Sequence, residues 1–256
     1  MLTISLTLAE LQGFLLVFLR TGAFLLAIPF WNSAGLPVLF RVGFALAASL
    51  LLAPRLGPGA LPFAADVFRL GVAAAGEVMV GLLAGVAIRV IFEAVQLAGE
   101  LAGYQMGLAI AEVLDPTTED QVPLLGQFLS LVATLVFLAT HGHHALIRTL
   151  TESFTILPPN GFHAEAATID RLARLTAEVF GNGLRAAAPV VVALVLATVA
   201  FGVVARTVPQ MNIFVVSLPL NIALGLVLLG LTLPHLVGYL AELFAGAPRH
   251  MLQLLR

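Results

Sequence analysis

The chain alternates long apolar runs with short segments rich in proline, glycine and polar residues. Six runs are long enough to form extended helices, and they cover residues 8–30, 38–53, 70–111, 124–147, 186–204 and 213–240. Residues 148–185 form a wetter region between two of these runs, and residues 241–256 read as a short amphipathic helix. Several runs approach or exceed the roughly 18–20 residues needed to cross a bilayer core. The pattern predicts an all-α fold of about six long apolar helical elements, arranged as membrane-type hairpins.

The third run is too long for one membrane crossing. It contains no proline between residues 70 and 111, so the whole stretch is compatible with helix. A helix over residues 76–111 would be about 54 Å long at about 1.5 Å per residue, whereas the hydrocarbon core of a bilayer is about 30 Å thick. We therefore expect this element to bend, to break into a hairpin or to extend beyond the membrane.

Composition supports a membrane protein made of one domain, residues 1–256. Hydrophobic residues make up 60% of the chain and charged residues 10%, whereas soluble domains carry about 25% charged residues. The 12 basic residues are all arginine, and cysteine is absent. Lysine-based and thiolate-based catalysis are therefore excluded. The net charge of -2 gives no basic footprint for nucleic acid.

One face of the third run collects glycine and polar residues. At about 100° per residue Gly81, Gly85, Gly99, Gly103 and Gly107 fall in one sector, and small residues spaced in this way let helix backbones approach closely. Two interpretations stay open, namely packing within the chain or a packing face for another subunit. The predicted face consists of Gly81, Gly85, Arg89, Glu93, Gln96, Gly99, Glu100, Gly103, Tyr104 and Gly107.

An acidic segment, residues 112–123, follows this face. It carries acidic residues but no basic residue, and it also contains valine and leucine. This mixture favours a segment that folds back into a protein-lined cavity, while the alternative is a solvated turn between two helices. The segment consists of Glu112, Val113, Leu114, Asp115, Pro116, Thr117, Thr118, Glu119, Asp120, Gln121, Val122 and Pro123.

A second interruption separates the last two long runs. It is either an ordinary loop or a broken-helix element, in which freed backbone groups and amide side chains line a site. The residues concerned are Arg206, Pro209, Gln210, Met211 and Asn212.

Three histidines, His141, His143 and His144, offer candidate metal ligands. No acidic residue lies close enough in the sequence to complete the set, so we favour a cap at the end of an apolar run over a metal site. No serine lies in a nucleophile-elbow context and no phosphate-binding loop is present. The sequence therefore predicts neither enzyme activity nor a cofactor.

Three glutamates, Glu77, Glu93 and Glu100, lie within apolar sequence. An acid in the membrane is energetically costly and is a candidate proton or ion site. Arg89 and Glu93 are spaced to form an ion pair on one helix face. We favour packed, satisfied acids over a proton carrier.

Several motifs, in order along nearly the whole chain, carry a family resemblance. They include Gly-Glu-Leu-Ala-Gly-Tyr-Gln-Met-Gly at residues 99–107, Asp115-Pro116 with Pro123, and Ala-Arg-Thr-Val-Pro-Gln-Met-Asn-Ile-Phe at residues 205–214. The chain resembles the FliR family of flagellar biosynthetic proteins. These proteins belong to the type III export gate and are related to the SctT proteins of injectisomes.

This resemblance implies a subunit that assembles with FliP and FliQ into a helical export gate. The gate would lie in the bacterial inner membrane at the flagellar basal body, with FlhB and FlhA as neighbouring components and unfolded flagellar subunits as export substrates. It also implies that residues 109–125, centred on Asp115-Pro116, form a plug in the channel. Residues 206–212 would form a structural joint near subunit contacts.

The acidic segment departs from some relatives at Thr117-Thr118-Glu119-Asp120, which is more acidic and lacks glycine.

Two alternative functions stay open: an injectisome gate subunit of the SctT type, and a proton-coupled transporter of small solutes that uses Glu93 or Glu100. Transporters usually contain an internal repeat, and the glycine face has no second copy in this chain.

Overall fold

The computed structural model describes residues 8–32, 35–53, 66–108, 123–159, 161, 166–207 and 213–255. All regular structure in these ranges is helical, which confirms the predicted all-α class. A short 3-10 helix, Pro29–Asn32, follows the first α-helix. The α-helices are α1 (Leu8–Ala27), α2 (Val38–Leu52), α3 (Val67–Met106), α4 (Leu124–Ala139), α5 (Gly142–Ile156), α6 (Ala166–Thr207) and α7 (Ile213–Leu254).

Four of these helices, α1, α3, α6 and α7, are long and apolar enough to cross a membrane, and the broken pair α4–α5 could add a fifth span. The third predicted run does not break into a hairpin, because α3 is one helix of 40 residues. Its length is about 60 Å at about 1.5 Å per residue, which is about twice the thickness of a hydrocarbon core.

The run predicted as one span over residues 124–147 is interrupted. Helix α4 ends at Ala139 and α5 begins at Gly142. Between them His141 adopts a left-handed conformation, with φ 59° and ψ 27°. A right-handed helix cannot continue through such a residue. The break coincides with the end of the strongly apolar run, since α5 begins with Gly142-His143-His144.

The wetter region predicted at residues 148–185 is largely helical, since α5 covers its start and α6 covers residues 166–185. The polar residues of this region do not prevent a helix, because arginine and glutamate have helix propensities as high as that of leucine. Helix α6 also continues through Pro189. Helix α7 runs through Pro219 and Pro234 to Leu254, so the expected separate C-terminal helix is part of it.

The chain divides into two compact units, each made of discontinuous segments. Unit 1 comprises Met1–Arg89, His141–Leu175 and Phe244–Arg256. Unit 2 comprises Val90–Thr140 and Thr176–Leu243.

A buried ion pair lies in the core of unit 1. The Nε of Arg20 donates to a carboxylate oxygen of Glu77 at 2.5 Å, and each side chain is 1% exposed. The Nη1 of Arg20 donates to the backbone carbonyls of Ser153 and Leu157, at 3.2 and 2.9 Å. Carbonyls at a helix end lack a full set of intrahelical donors and attract cations. Because the Phe154 ring centroid also lies 4.3 Å from the guanidinium carbon, Arg20 joins α1, α3 and the end of α5.

The core of unit 2 is apolar and closely packed. Phe92 of α3 and Phe137 of α4 meet edge to face, with ring centroids 6.1 Å apart. The hydroxyl of Tyr239 on α7 donates a hydrogen bond to the side-chain oxygen of Asn182 on α6, at 3.0 Å. A cluster of buried side chains fills the space beside the end of α3, formed by Ala102, Met106, Leu125, Val190 and Leu194.

We expect Glu77→Gln to destabilise unit 1 strongly, because it leaves the Arg20 charge buried without its counter-charge. Breaking one partner of a buried pair costs on the order of 3–5 kcal/mol. The measurement is the midpoint of unfolding in detergent, followed by circular dichroism.

The matched control is Glu152→Gln, which removes an exposed i,i+4 partner of Arg148. Surface pairs of this kind are worth about 0–1 kcal/mol. The double variant Arg20→Met/Glu77→Met should be more stable than either single variant. Equal midpoints for Glu77→Gln and Glu152→Gln would show that the buried pair does not hold unit 1 together.

Candidate functional site

In unit 1, the predicted glycine face of α3 packs closely against α1. A Cβ atom on Gly81 would collide with the carbonyl oxygen of Arg20 and would lie 2.8 Å from the Cβ of Ala23. A Cβ atom on Gly85 would lie 3.0 Å from the carbonyl oxygen of Phe24. Side chains larger than hydrogen do not fit at these distances, so both glycines allow the two helix backbones to touch.

In unit 2, α3 and α4 cross at a pair of glycines. A Cβ atom on Gly99 would lie 2.6 Å from the Cα of Gly126 and 2.7 Å from the carbonyl oxygen of Leu125. The side chains of Gln96 and Glu100 flank the crossing, with their Cγ atoms 3.3 and 3.5 Å from an ideal Cβ position on Gly126. The glycine face thus supplies close backbone contact within this unit as well.

The polar members of the face border these crossings. The side-chain nitrogen of Gln96 donates to Glu100 at 3.1 Å, and both residues are half-buried. The pair predicted on this face was Arg89 with Glu93, and the same spacing of four on a helix also fits Gln96 with Glu100. Glu93 is half-buried, whereas Arg89 and Tyr104 are exposed.

Gly107 ends α3 and starts the chain towards the acidic segment. Its φ is 84°, a left-handed conformation that glycine adopts without steric cost. The backbone nitrogen of Leu108 donates to the carbonyl of Gly103, and that of Gly107 donates to the carbonyl of Tyr104, each at 3.0 Å. This pair of hydrogen bonds is a Schellman motif, which satisfies carbonyls at a helix end.

Met106, the last residue of α3, is fully buried against Gly225 of α7. A Cβ atom on Gly225 would lie 2.5 Å from the Cγ and 2.7 Å from the sulfur of Met106. The methionine therefore occupies space that only a glycine leaves open. We use the term segment base for the packed set of Gly99, Met106, Gly107, Gly126 and Gly225.

The acidic segment leaves and rejoins the described structure at one place. Leu108, before the segment, and Pro123, at its end, border the same small recess together with Glu100. Pro123 directly precedes α4. Residues 109–122 of the predicted plug, which covers residues 109–125, lie outside the described residues, so its interior stays a prediction.

The predicted joint falls mostly outside the described residues as well. Arg206 lies on the last turn of α6 and is exposed. A cation in the last turn is favourable because it faces the negative end of the helix dipole. Pro209, Gln210, Met211 and Asn212 are not among the residues that the structure describes.

The three histidines lie at the break between α4 and α5. The rings of His143 and His144 are 4.2 Å apart between centroids. Over the described ranges, no group of three or more histidine, cysteine, aspartate or glutamate residues could hold a metal ion.

Residues 11–247 match the family model described as bacterial export proteins, family 1. The chain belongs to this family. A relative from Bacillus subtilis (strain 168), named flagellar biosynthetic protein FliR, is 37% identical over 223 residues, which cover 85% of this chain and 84% of the relative.

Other FliR proteins match over similar lengths. The one from Pectobacterium carotovorum subsp. carotovorum is 33% identical over 230 residues, covering 89% of this chain and 87% of its own. The one from Escherichia coli (strain K12) is 30% identical over 227 residues, covering 89% and 86%. The resemblance to the FliR family is therefore confirmed, and this is a membrane-type protein of flagellar biosynthesis. The relatives are named for flagellar biosynthesis and the family for export, and neither name denotes a chemical reaction.

We expect Gly99→Ala to destabilise this FliR-family chain and Gly103→Ala to be tolerated. An added methyl at position 99 would meet backbone atoms at 2.6 Å, whereas at position 103 it would meet only the Cβ of Leu125 at 3.7 Å. Overpacking costs about 1–3 kcal/mol, while both variants gain about 1 kcal/mol of helix propensity. The difference in unfolding free energy between the two variants therefore measures the cost of the clash at position 99.

The two variants can be compared by thermal unfolding in the same detergent. A lower midpoint for Gly103→Ala than for Gly99→Ala would contradict the close crossing at Gly99 and Gly126.

Proposed function

We propose that this chain is a subunit of the flagellar type III protein export gate. It assembles with FliP and FliQ in the bacterial inner membrane at the flagellar basal body, with FlhB and FlhA as neighbouring export components. The complex conducts unfolded rod, hook and filament subunits. Conduction through the gate is passive, and the energy comes from the cytoplasmic ATPase and from the proton-motive force acting through FlhA.

The observation that carries this proposal is the anchoring of the acidic segment. Leu108, which precedes it in the chain, and Pro123, at its end, border one recess. Near these two residues the helices are held by the backbone crossing at Gly99 and Gly126 and by the Met106–Gly225 contact. A stretch that is flanked by fixed helices on both sides is suited to act as a separate closing element. In this proposal residues 109–125, centred on Asp115-Pro116, plug the channel and move aside during export.

The exposed apolar surface of the last two helices supports assembly with partners. The most apolar 18-residue windows of α6 and α7 are only 17% and 11% buried within the chain, compared with 67% for α3. Each helix has 42 residues and is about 63 Å long at about 1.5 Å per residue. Surface of this extent requires lipid or protein to cover it. FliP and FliQ are the partners that the family relationship suggests.

The flagellar version is favoured over the injectisome version, because the relatives described above carry flagellar names. The transporter alternative needs Glu93 or Glu100 as a proton site. Glu100 accepts a hydrogen bond from Gln96, which is the arrangement of a packed acid and does not by itself provide a proton path.

The first test of the proposal is co-expression with FliP and FliQ from the same organism, with one affinity tag on this chain. Native mass spectrometry of the eluted material should show a discrete complex that contains all three proteins. If the tagged chain elutes alone or as a homodimer, the gate proposal fails. Proton-coupled uptake by the chain alone in proteoliposomes, lost in Glu93→Gln or Glu100→Gln, would then favour the transporter.

The plug assignment has its own test. Reversing the charges at Asp115, Glu119 and Asp120 to lysine should alter secretion or ion leak, because the change lies in the closing element. Assembly with FliP and FliQ should be unchanged. The control is Glu152→Lys, a charge reversal of the same kind at an exposed helix position. A loss of complex yield in the triple variant alone would mean that the segment is a scaffold for assembly.

A further inference from the structure

A notch in unit 2 lies between α3, α4, α6 and α7, with a volume of 160 Å³. Small residues leave this space open, because Ala98 and Ala102 of α3 and Ala187 of α6 form part of its lining and are themselves buried. Over the described residues, the notch shares no lining residue with the recess at Leu108 and Pro123. It is therefore distinct from the place where the acidic segment leaves and rejoins the helices.

Two basic side chains line the notch, Arg185 from α6 and His235 from α7. Both residues are exposed, so a ligand can reach them from outside the chain. Neither side chain forms an ion pair or a hydrogen bond with another described residue. No aspartate or glutamate among the described residues lines the notch. The charge at this place therefore favours an anion.

The neutral polar side chains of the notch already use their hydroxyl protons. Thr232 donates to the backbone carbonyl of Leu228 at 2.9 Å, and Tyr239 donates to Asn182 at 3.0 Å. The guanidinium of Arg185 and the imidazole of His235 are thus the donors left for a ligand. A guanidinium presents its N–H groups in a fixed fork that matches the oxygens of a phosphate or a carboxylate.

The notch lies at one end of two uncharged helical stretches of membrane length. On α6, residues 186–205 carry no ionisable side chain and measure about 30 Å at about 1.5 Å per residue, which is about the thickness of a hydrocarbon core. On α7, residues 213–234 also carry none. Arg185 and His235 are the first ionisable residues beyond these stretches. Arginine and tyrosine at this level of a membrane helix face the lipid headgroups.

The rest of the lining favours a lipid over a soluble anion. Leu129, Val190, Leu229 and Leu236 line the notch together with the alanines, so a ligand that enters it meets apolar surface beside the two basic groups. Inorganic phosphate has no apolar part to place there. A phospholipid carries a phosphate joined directly to glycerol and acyl chains, and basic pockets between membrane helices bind such headgroups.

We propose that the notch binds the phosphate group of an anionic phospholipid. Arg185 and His235 donate hydrogen bonds to the phosphate oxygens, while the glycerol and the upper part of an acyl chain lie against the apolar lining. The lipid thereby fills a gap between α3, α6 and α7 that small residues leave open. This site is independent of the proposed plug and of the identity of the protein partners.

The test is native mass spectrometry of the full chain, delipidated in dodecyl maltoside and titrated with dioleoylphosphatidylglycerol. We expect saturable binding of one lipid per chain. Dioleoylglycerol has the same acyl chains without the phosphate, and it should bind at least about tenfold more weakly because it cannot accept the charge-assisted hydrogen bonds. Glycerol 3-phosphate, the soluble source of the same group, should not displace the lipid at equal concentration.

Two variants change the notch, and each has a matched control on α6. Arg185→Gln should weaken lipid binding about tenfold, whereas Arg174→Gln removes the same charge from an exposed position outside the notch and should leave it unchanged. Ala186→Leu narrows the notch without altering charge and should also weaken binding. Ala193→Leu adds the same volume at a half-buried position that does not line the notch, and it should behave like the wild type.

Equal lipid affinity in the wild type and Arg185→Gln would overturn the proposal. So would equal affinity for dioleoylglycerol, because apolar contact alone would then explain binding. Displacement of the lipid by glycerol 3-phosphate at equal concentration would make a soluble phosphate the ligand. Lipid binding by the isolated chain that is lost when protein partners co-purify would assign the notch to a partner's carboxylate, which also contradicts a lipid site.

Discussion

The Arg20–Glu77 ion pair is the constraint on which unit 1 depends. Removing two charges from water costs several kcal/mol per ion, and this cost is recovered only when geometry and additional hydrogen bonds are good. Here one guanidinium contacts a carboxylate on α3 and two carbonyls at the end of α5. These contacts can all form in only one register of α1. The same register places the Arg20 carbonyl against Gly81.

In unit 2 the helices are held together by close packing at glycines instead of by an ion pair. Between helices in an apolar environment no hydrophobic force favours protein over lipid, so close contact and small residues become decisive. Gly99 against Gly126 brings the backbones of α3 and α4 together, and Gly225 opens space for Met106. The packing ends at Gly107, where a left-handed residue stops the helix beside the filled space. The point at which α3 ends is thus determined by the core beside it.

Hydropathy and glycine spacing predicted the all-α class, the long third helix and the glycine face on α3. They could not predict the partner of Arg20, because Glu77 lies 57 positions away and only tertiary packing brings the two together. The histidines were expected to cap an apolar run, but the left-handed turn at His141 depends on one backbone angle that the sequence does not specify. Glycines 99 and 103 look equivalent in the sequence, yet only the first lies at a backbone crossing. Residues 109–122 and 208–212 fall outside the described ranges, so the interior of the predicted plug and most of the predicted joint stay predictions.

The recess shared by Leu108 and Pro123 has a consequence for how this family can diverge. When the two ends of a segment are held side by side, its closure entropy grows only with the logarithm of its length, and doubling the length costs about 0.6 kcal/mol. Residues can therefore be inserted, deleted or recharged between these two anchors while the helices below keep their packing.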